Sequence, residues 1–205
     1  MFFLSYKYDK IYLVYHIHHT EGLILGSNNY GEAGKYYAVF TRDLGMIYAS
    51  AQGVRKMSSK LRFILQDFSY VKIDLVRGKD FWRITSASKT NKLENLTQPG
   101  IFEVYIKITK LLKRLLAGEE ANLDLFIDLL KGLSILEKAE NLEDIANAEI
   151  LIVLRVLHNL GYIGGEENVQ DLIKSPFEEE LLPKISKNKG KILKEINRVL
   201  KETHL

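Results

Sequence analysis

The chain of 205 residues contains no cysteine, and this absence removes several kinds of site at once. Without thiolates there is no disulfide framework, no cysteine-ligated zinc site, no iron–sulfur cluster and no cysteine nucleophile. Proline is scarce, at three residues, and no apolar run approaches the roughly 20 residues that a membrane-spanning helix needs. We therefore expect a soluble protein of the cytoplasm.

The sequence also lacks a recognisable catalytic constellation. The glycine-containing stretch 22–34 has neither the P-loop lysine pattern nor the dinucleotide fingerprint. His16 and His18 share one face of a predicted strand, but no third metal ligand has a fixed position near them. The run 58–60 resembles a serine–lysine pair without any group to stabilise an oxyanion. We predict no catalytic residue, no metal site and no cofactor.

Charge is distributed unevenly along the chain. Residues 1–95 carry 14 Lys and Arg against 8 Asp and Glu, a balance of +6, whereas residues 96–205 carry 15 against 18, a balance of −3. Such a difference favours a basic binding surface on the first half. Because many domains that bind no nucleic acid show a similar difference, the charge count by itself is weak support for a nucleic-acid partner.

Composition divides the chain into two predicted domains. Residues 19–88 are rich in Tyr, Phe, Val, Ile and Thr with glycines between them, which predicts an all-β unit. After Pro99 and Gly100 the chain becomes rich in Leu, Ile, Glu, Lys and Ala, which favours helix. We predict an α+β chain with an N-terminal extension over 1–18, a β-barrel domain over 19–90 and an all-α helical bundle over 91–205.

Five short strands are predicted in the first half. The turn Arg42–Gly45 joins the second and third of them as a hairpin, because Gly45 can adopt positive φ. Five strands in about 70 residues match an OB-fold, whose open face and loops bind oligonucleotides, but an SH3-like barrel or a small sandwich would give a similar pattern. The predicted strands are Glu21–Gly26, Tyr36–Thr41, Met46–Ala51, Tyr70–Val76 and Phe81–Ala87.

Basic and aromatic side chains are interleaved through these strands and their loops. Single-stranded nucleic acid is bound by this combination, since cations follow the phosphates and ring faces stack on bases. The densest basic stretch, Arg55–Arg62, holds four cations in eight residues without an acid. Large rings also fill barrel interiors, so each aromatic side chain has core packing as its alternative. The aromatic candidates are Tyr30, Tyr36, Tyr37, Tyr48, Phe63 and Trp82.

Seven short segments occur in a fixed order over the first half of the chain. They are Thr20–Leu25, Tyr30–Ala33, Val39–Thr41 with Gly45, Ala51–Lys56, Ser59–Arg62, Leu65–Phe68 and Arg77–Lys79. In this order the segments resemble the RecO family of bacterial recombination mediators. Gly34 departs from the family pattern, which usually has an acidic residue there. Residues 1–15 precede the usual start of the family sequences. Three interpretations of this segment stay open: an extra edge strand over Ile11–Tyr15, a disordered tail, or the product of an upstream start codon.

The resemblance implies an N-terminal OB-fold that binds DNA and a C-terminal helical domain. Many relatives carry a four-cysteine zinc module, which this chain cannot form. Implied activities are binding of single- and double-stranded DNA, annealing of complementary strands and, with RecR, help in loading RecA onto DNA coated by single-strand-binding protein. The implied role is a non-enzymatic one in recombinational DNA repair. The implied location is the cytoplasm, in association with the nucleoid. By matched position Lys35, Arg42, Arg55, Lys56, Lys60 and Arg62 face DNA, and the basic and aromatic pattern adds Arg77, Lys79, Tyr36 and Tyr48.

The second half predicts an amphipathic helical bundle. Helices are expected over Ile101–Ala117, from an Asn122 cap onward, over Ala146–Leu160 and over Lys187–Glu202. Asn141 and Asp144 form a predicted capping box for the third of them, and Pro176–Glu180 is a predicted helix start. The helix over Ala146–Leu160 is apolar on nearly every face, which places it at the centre of the bundle.

Two basic patches of the helical half are candidates for the acidic C-terminal tail of single-strand-binding protein, a partner that the resemblance implies. They are Lys107, Lys110 and Arg114 on the first helix, and Lys187 and Lys191 on the last. Exposed lysines on amphipathic helices are common, so each patch has an ordinary solvated surface as its alternative. For the whole chain, the alternatives to a DNA-binding mediator are a general OB-fold RNA-binding protein and a non-catalytic protein-interaction scaffold.

Overall fold

The first half of the chain folds into a closed five-stranded barrel. The computed structural model describes residues 16–90, 92–93, 96, 98–164 and 169–202. The strands are β1 (Ile17–Tyr30), β2 (Gly34–Thr41), β3 (Gly45–Ala51), β4 (Tyr70–Arg77) and β5 (Trp82–Lys89). The barrel order is β1-β2-β3-β5-β4, with antiparallel neighbours except for the parallel pair β3–β5. This arrangement confirms the predicted OB-type barrel.

Strand β1 is much longer than the sequence pattern predicted, because it serves two neighbours. Its first part, to Leu23, pairs with β4, and its second part, from Gly22, pairs with β2. The register shifts between Ile24 and Gly26, where an irregularity bends the strand. A Cβ atom at Gly22 would lie 2.7 Å from Val39 Cγ1, so this position takes no larger residue without rearrangement. The predicted edge strand Ile11–Tyr15 lies outside the described residues.

The second half is a helical bundle around one central helix. The helices are α1 (Ile101–Leu115), α2 (Leu123–Glu137), α3 (Leu142–Asn159), α4 (Gln170–Lys174) and α5 (Leu182–Glu202). The other four helices all pack on α3, whose residues Ile150–Ile152 are buried, as the all-round apolar sequence predicted. None of the helices in the described part of the chain combines the length and apolar character that a bilayer crossing needs.

Side-chain caps begin two of these helices, as predicted. The Asn122 side chain accepts from the Leu125 amide and the Asn141 side chain accepts from the Asp144 amide, each at 2.9 Å. The helix start predicted over Pro176–Glu180 lies at Glu179, near the end of that segment. A short 3₁₀ turn over Glu179–Leu181 leads into α5, which begins five residues before the predicted Lys187.

The barrel and the bundle share a hydrophobic core. The barrel interior has its own cluster, but the outward side chains of Phe40 and Tyr70 belong to the same cluster as the helices. Phe126 of α2 links them, with its ring centroid 5.4 Å from that of Phe40 and 6.4 Å from that of Tyr70. One outer side of the barrel is therefore covered by helices. The domain division at residue 90 stays a prediction.

Tyr105 of α1 provides a polar link between the two halves. Its phenol makes the free energy of unfolding depend on pH in the alkaline range. Its hydroxyl donates to the Phe68 carbonyl at 2.9 Å, and burial raises its pKa above the ordinary value of 10.0. The unfolded chain therefore loses this proton first, so the free energy of unfolding falls as pH rises above about 10. We expect urea titrations over this alkaline range to show a shallower fall for Tyr105→Phe. An equally steep fall would contradict the assignment to Tyr105.

Candidate nucleic-acid interface

An aromatic cluster lies on the outward side of β2, away from the barrel interior. The Tyr36 ring centroid is 4.2 Å from that of Tyr30 and 4.7 Å from that of Phe81. Tyr30 is the last residue of β1, and Phe81 directly precedes β5. The β1–β2 and β4–β5 turns therefore meet beside β2, and in OB-folds these two loops and the face of strands 2 and 3 bind oligonucleotides.

Tyr48 extends this cluster onto β3. It lies opposite Ala38 in the β2–β3 register, and Ala38 shares its side of β2 with Tyr36 because side chains alternate along a strand. The side chains of Tyr30 and Tyr48 are 45% and 59% exposed, so their rings are accessible to a ligand. We call Tyr30, Tyr36, Tyr48 and Phe81 the aromatic face.

Phe81 and Arg83 belong to this region but are not among the predicted DNA-binding residues. Phe81 was predicted as the first residue of the fifth strand, but it lies in the turn before β5. Arg83 is exposed and pairs in register with Ser50, which lies opposite Tyr36. The parallel β3–β5 pairing places Arg83 on the same side of the sheet as Tyr36, two strands away in register. This pairing leaves no local signal in the sequence.

A second feature lies at one end of the barrel. The side chains of Lys35, Arg55 and Arg62 line a cavity of about 440 Å³, which we call the basic cavity. The loop between β3 and β4 forms much of its wall and is attached to the β1–β2 turn, because the Arg55 amide donates to the Ala33 carbonyl at 3.0 Å. The remaining lining residues are Tyr37, Val54, Leu65, Gln66 and Asp67.

The cations at this end of the barrel are only lightly engaged within the chain. Arg55 donates to the Glu32 carbonyl at 3.3 Å, and Arg62 donates to the Met57 sulfur at 2.7 Å. Lys56 and Lys60 lie exposed in the same loop, and neither forms a side-chain hydrogen bond or ion pair within the described residues. These side chains can therefore turn toward an anionic ligand at little cost.

Other predicted DNA-facing residues lie apart from this group. Arg42 follows the far end of β2, about 20 Å of strand away from Lys35. Arg77 forms an ion pair with Glu119 at 2.6 Å and stacks on Trp82 with 4.9 Å to the ring centroid, so its guanidinium joins the barrel to the α1–α2 loop. Lys79 is exposed in the β4–β5 turn, beside the aromatic face.

Three of the aromatic candidates lie outside the aromatic face. Tyr37 and Trp82 are buried in the barrel interior, where they fill its core. Phe63 is exposed in the loop that carries the basic stretch, and the Arg62 guanidinium lies 5.9 Å from its ring centroid. The alternation of side chains along β2 explains why neighbouring Tyr36 and Tyr37 have opposite surroundings.

The two predicted peptide patches differ in their surroundings. On α1, Lys107, Lys110 and Arg114 are exposed at helical spacing, and among the described residues only Lys107 of these three pairs with an acid, Glu149, at 3.4 Å. On α5, Lys191 is exposed, whereas Lys187 lines a cavity of about 650 Å³ that is rich in carboxylates. The α1 patch is the better electrostatic match for an acidic peptide. The acids of the α5 cavity are Glu140, Glu143, Asp144 and Glu179.

Two of the neighbouring histidines near the start of β1, His18 and His19, have partners within the barrel. His19 Nδ1 lies 2.6 Å from Asp74 Oδ1, and the His18 ring contacts Trp82 edge-on at 5.0 Å between centroids. Across the described ranges, no group of three or more His, Asp or Glu side chains is arranged to hold a metal ion.

The comparison with known proteins identifies the barrel. Residues 16–101 match the family model described as Recombination protein O N terminal. Over these residues the chain is similar to RecO proteins. This result confirms the resemblance carried by the seven sequence segments, and the matched residues include the whole aromatic face and the basic cavity.

Full-length similarity is more limited. The chain is 31% identical over 147 residues to a DNA repair protein RecO from Heliobacterium modesticaldum, a match that covers 71% of this chain and 52% of that protein. Identity is 26% over 147 residues to the protein of the same name from Desulfitobacterium hafniense, again covering 71% and 52%. A third, from Dehalococcoides mccartyi, is 27% identical over 153 residues, covering 74% and 58%. The chain thus spans about half the length of the curated relatives it matches.

Proposed function

We propose that this chain binds single- and double-stranded DNA and acts as a mediator in recombinational DNA repair. The observation that carries the proposal is the meeting of two features at the β1–β2 turn. Tyr30 of the aromatic face begins this turn, and Arg55 of the basic cavity is hydrogen-bonded to Ala33 at its other side. A DNA strand on this surface can stack its bases on rings and place its phosphates beside cations.

The physical chemistry of this surface suits binding without strong sequence preference. Stacking on an aromatic ring contributes about 1–3 kcal/mol per base and tolerates every base, because each has a π-face. Phosphate contacts contribute through counterion release, which makes the affinity fall as salt rises. Annealing follows from the same physics, since a cationic surface reduces the repulsion between two strands and lets matching bases meet.

The repair role and the partners come from the family. The matched relatives carry the name DNA repair protein RecO, and the resemblance adds RecR, RecA and single-strand-binding protein as partners. For the acidic tail of single-strand-binding protein we favour the α1 patch of Lys107, Lys110 and Arg114. Its cations face one carboxylate, Glu149, whereas Lys187 shares its cavity with several. In this role the chain works by binding and needs no catalytic residue.

Removing two loop cations tests the electrostatic part of this proposal. We expect Arg55→Ala with Lys56→Ala to weaken DNA binding about equally for all sequences, because the lost contacts are to phosphates. The slope of log affinity against log salt should fall by about 1–2. Fluorescence anisotropy with labelled single-stranded oligonucleotides over a salt series measures both quantities.

A matched control removes the same charge elsewhere. Lys131 and Lys201 are exposed on α2 and α5, so the pair Lys131→Ala and Lys201→Ala should leave the slope unchanged. Equal losses in both double variants would show a net-charge effect and contradict a localised DNA site.

Competition with RNA oligonucleotides separates the RNA-binding alternative, because a protein that reads the 2′-hydroxyl prefers RNA. Annealing of oligonucleotides precoated with single-strand-binding protein tests the mediator role directly.

A further inference from the structure

One buried polar group in the barrel has no partner of its own. The Tyr37 side chain is 0% exposed, and its hydroxyl makes no hydrogen bond among the described residues. A buried hydroxyl without a partner destabilises a folded protein, because it has lost its water and gained nothing in return. Phenylalanine would fill the same core space without this cost, so the hydroxyl itself calls for an explanation.

The surroundings of Tyr37 indicate what its partner would be. Tyr37 lines the basic cavity together with the cationic side chains of Lys35, Arg55 and Arg62. The carboxylate in the lining, Asp67, already accepts a hydrogen bond from Ser27 Oγ at 2.5 Å, and Ser27 Oγ in turn accepts one from Lys35 Nζ at 3.2 Å. Three cations against one engaged carboxylate leave the cavity suited to an anion.

The protonation state of Tyr37 fits an anionic ligand. Burial, with Asp67 nearby, raises the pKa of its phenol to about 12, so the group stays a neutral O–H at physiological pH. A neutral phenol can donate to an anion, whereas a phenolate would repel it. The cavity therefore offers donors on several sides, as an oxygen-rich tetrahedral anion requires.

We propose that the basic cavity holds one backbone phosphate of the bound DNA strand, with Lys35, Arg55 and Arg62 neutralising it and the Tyr37 hydroxyl donating a hydrogen bond to it. This inference rests on the proposed function and adds to it the position of one phosphate. A strand whose bases stack on the aromatic face reaches the cavity by passing the β1–β2 turn, because Arg55 lines the cavity and contacts that turn.

The substitution Tyr37→Phe tests this proposal because it removes one oxygen atom and keeps the ring. We expect single-stranded DNA affinity to fall about ten- to a hundredfold, as for one lost hydrogen bond to a charged group. The thermal unfolding temperature should stay the same or rise, since the partnerless hydroxyl is gone. The salt slope should stay unchanged, because no charge is removed, while Arg62→Ala should lower it by about one.

Two further measurements identify the ligand as a backbone phosphate. Inorganic phosphate should raise the unfolding temperature of the wild-type chain more than chloride at equal ionic strength, and Tyr37→Phe should reduce this difference. Oligonucleotides with a 5′-phosphate and with a 5′-hydroxyl should lose affinity equally in Tyr37→Phe. A loss confined to the 5′-phosphorylated oligonucleotide would overturn the backbone assignment in favour of a strand end.

Tyr162→Phe is the control, because Tyr162 is exposed after α3 and should affect neither binding nor stability. Wild-type DNA affinity in Tyr37→Phe, or a lower unfolding temperature, would overturn the proposal and assign Tyr37 a purely structural role. The proposed function would survive that outcome if Tyr36→Ala with Tyr48→Ala still weakened binding. No DNA binding by the wild-type chain would overturn both.

Discussion

We expect the replacement of Tyr36 and Tyr48 together by alanine to lower the affinity for single-stranded DNA by about two orders of magnitude. Each ring that stacks on a base contributes about 1–3 kcal/mol, and 1.4 kcal/mol corresponds to a factor of ten. Tyr48 is exposed and Tyr36 is half-buried on the barrel surface, so the loss in binding exceeds the loss in stability. Fluorescence anisotropy at fixed salt measures the affinity, and thermal unfolding checks that the barrel remains folded.

The conservative variants provide the control for stacking. Tyr36→Phe with Tyr48→Phe keeps both rings, so we expect most of the affinity to remain. The salt slope of the alanine variant should match that of the wild type, because tyrosine carries no charge at neutral pH. If the phenylalanine variant lost as much affinity as the alanine variant, hydroxyl contacts would replace stacking as the explanation. Unchanged affinity in the alanine variant would exclude the aromatic face as the DNA site.

The second large effect concerns stability. Phe126→Ala should destabilise the folded chain by about 3–5 kcal/mol, because the ring is 1% exposed and contacts Phe40 and Tyr70 of the barrel. Trp82, the single tryptophan of the chain, lies in the barrel core and reports its unfolding by fluorescence. Far-ultraviolet circular dichroism reports the helices. We expect both signals to shift to lower denaturant concentration together.

Separate transitions would contradict this coupling. If Phe126→Ala shifted only the helical signal while the Trp82 transition stayed in place, the barrel would be stable without the helices. Phe63→Ala is the matched control, because this phenylalanine is 60% exposed and should change stability by less than about 0.5 kcal/mol. A joint shift would mean that the barrel and the helices unfold together because they share one hydrophobic core.

The candidate site was only partly predictable from the sequence. The density of cations over Arg55–Arg62 is a local signal, and the loop does lie at the end of the barrel where Lys35 joins it. The engagement of Arg77 by Glu119 was not predictable, because the two residues are 42 positions apart. The same holds for the convergence of Phe81 on Tyr36, which depends on how two turns meet across the barrel.

The sequence by itself determined most of the elements and the resemblance to RecO proteins. Alternating apolar residues and turn glycines predict the strands, three- and four-residue spacing predicts the helices, and the asparagine caps predict two helix starts, since each signal is local to its segment. Seven ordered segments were enough to recognise the resemblance to the RecO family. Such signals miss what neighbouring segments decide, for example where one strand pairs with two others, as β1 does.

Tertiary structure alone decided which faces are free and which side chains meet. Tyr36 and Tyr37 are equivalent by composition, yet one belongs to the exposed aromatic face and the other places a partnerless hydroxyl at the basic cavity. Packing of α2 against Phe40 determines which barrel side is covered, and so leaves the aromatic face accessible. The physical reason is that burial and charge pairing are set by contacts between distant segments, which no single stretch of sequence encodes.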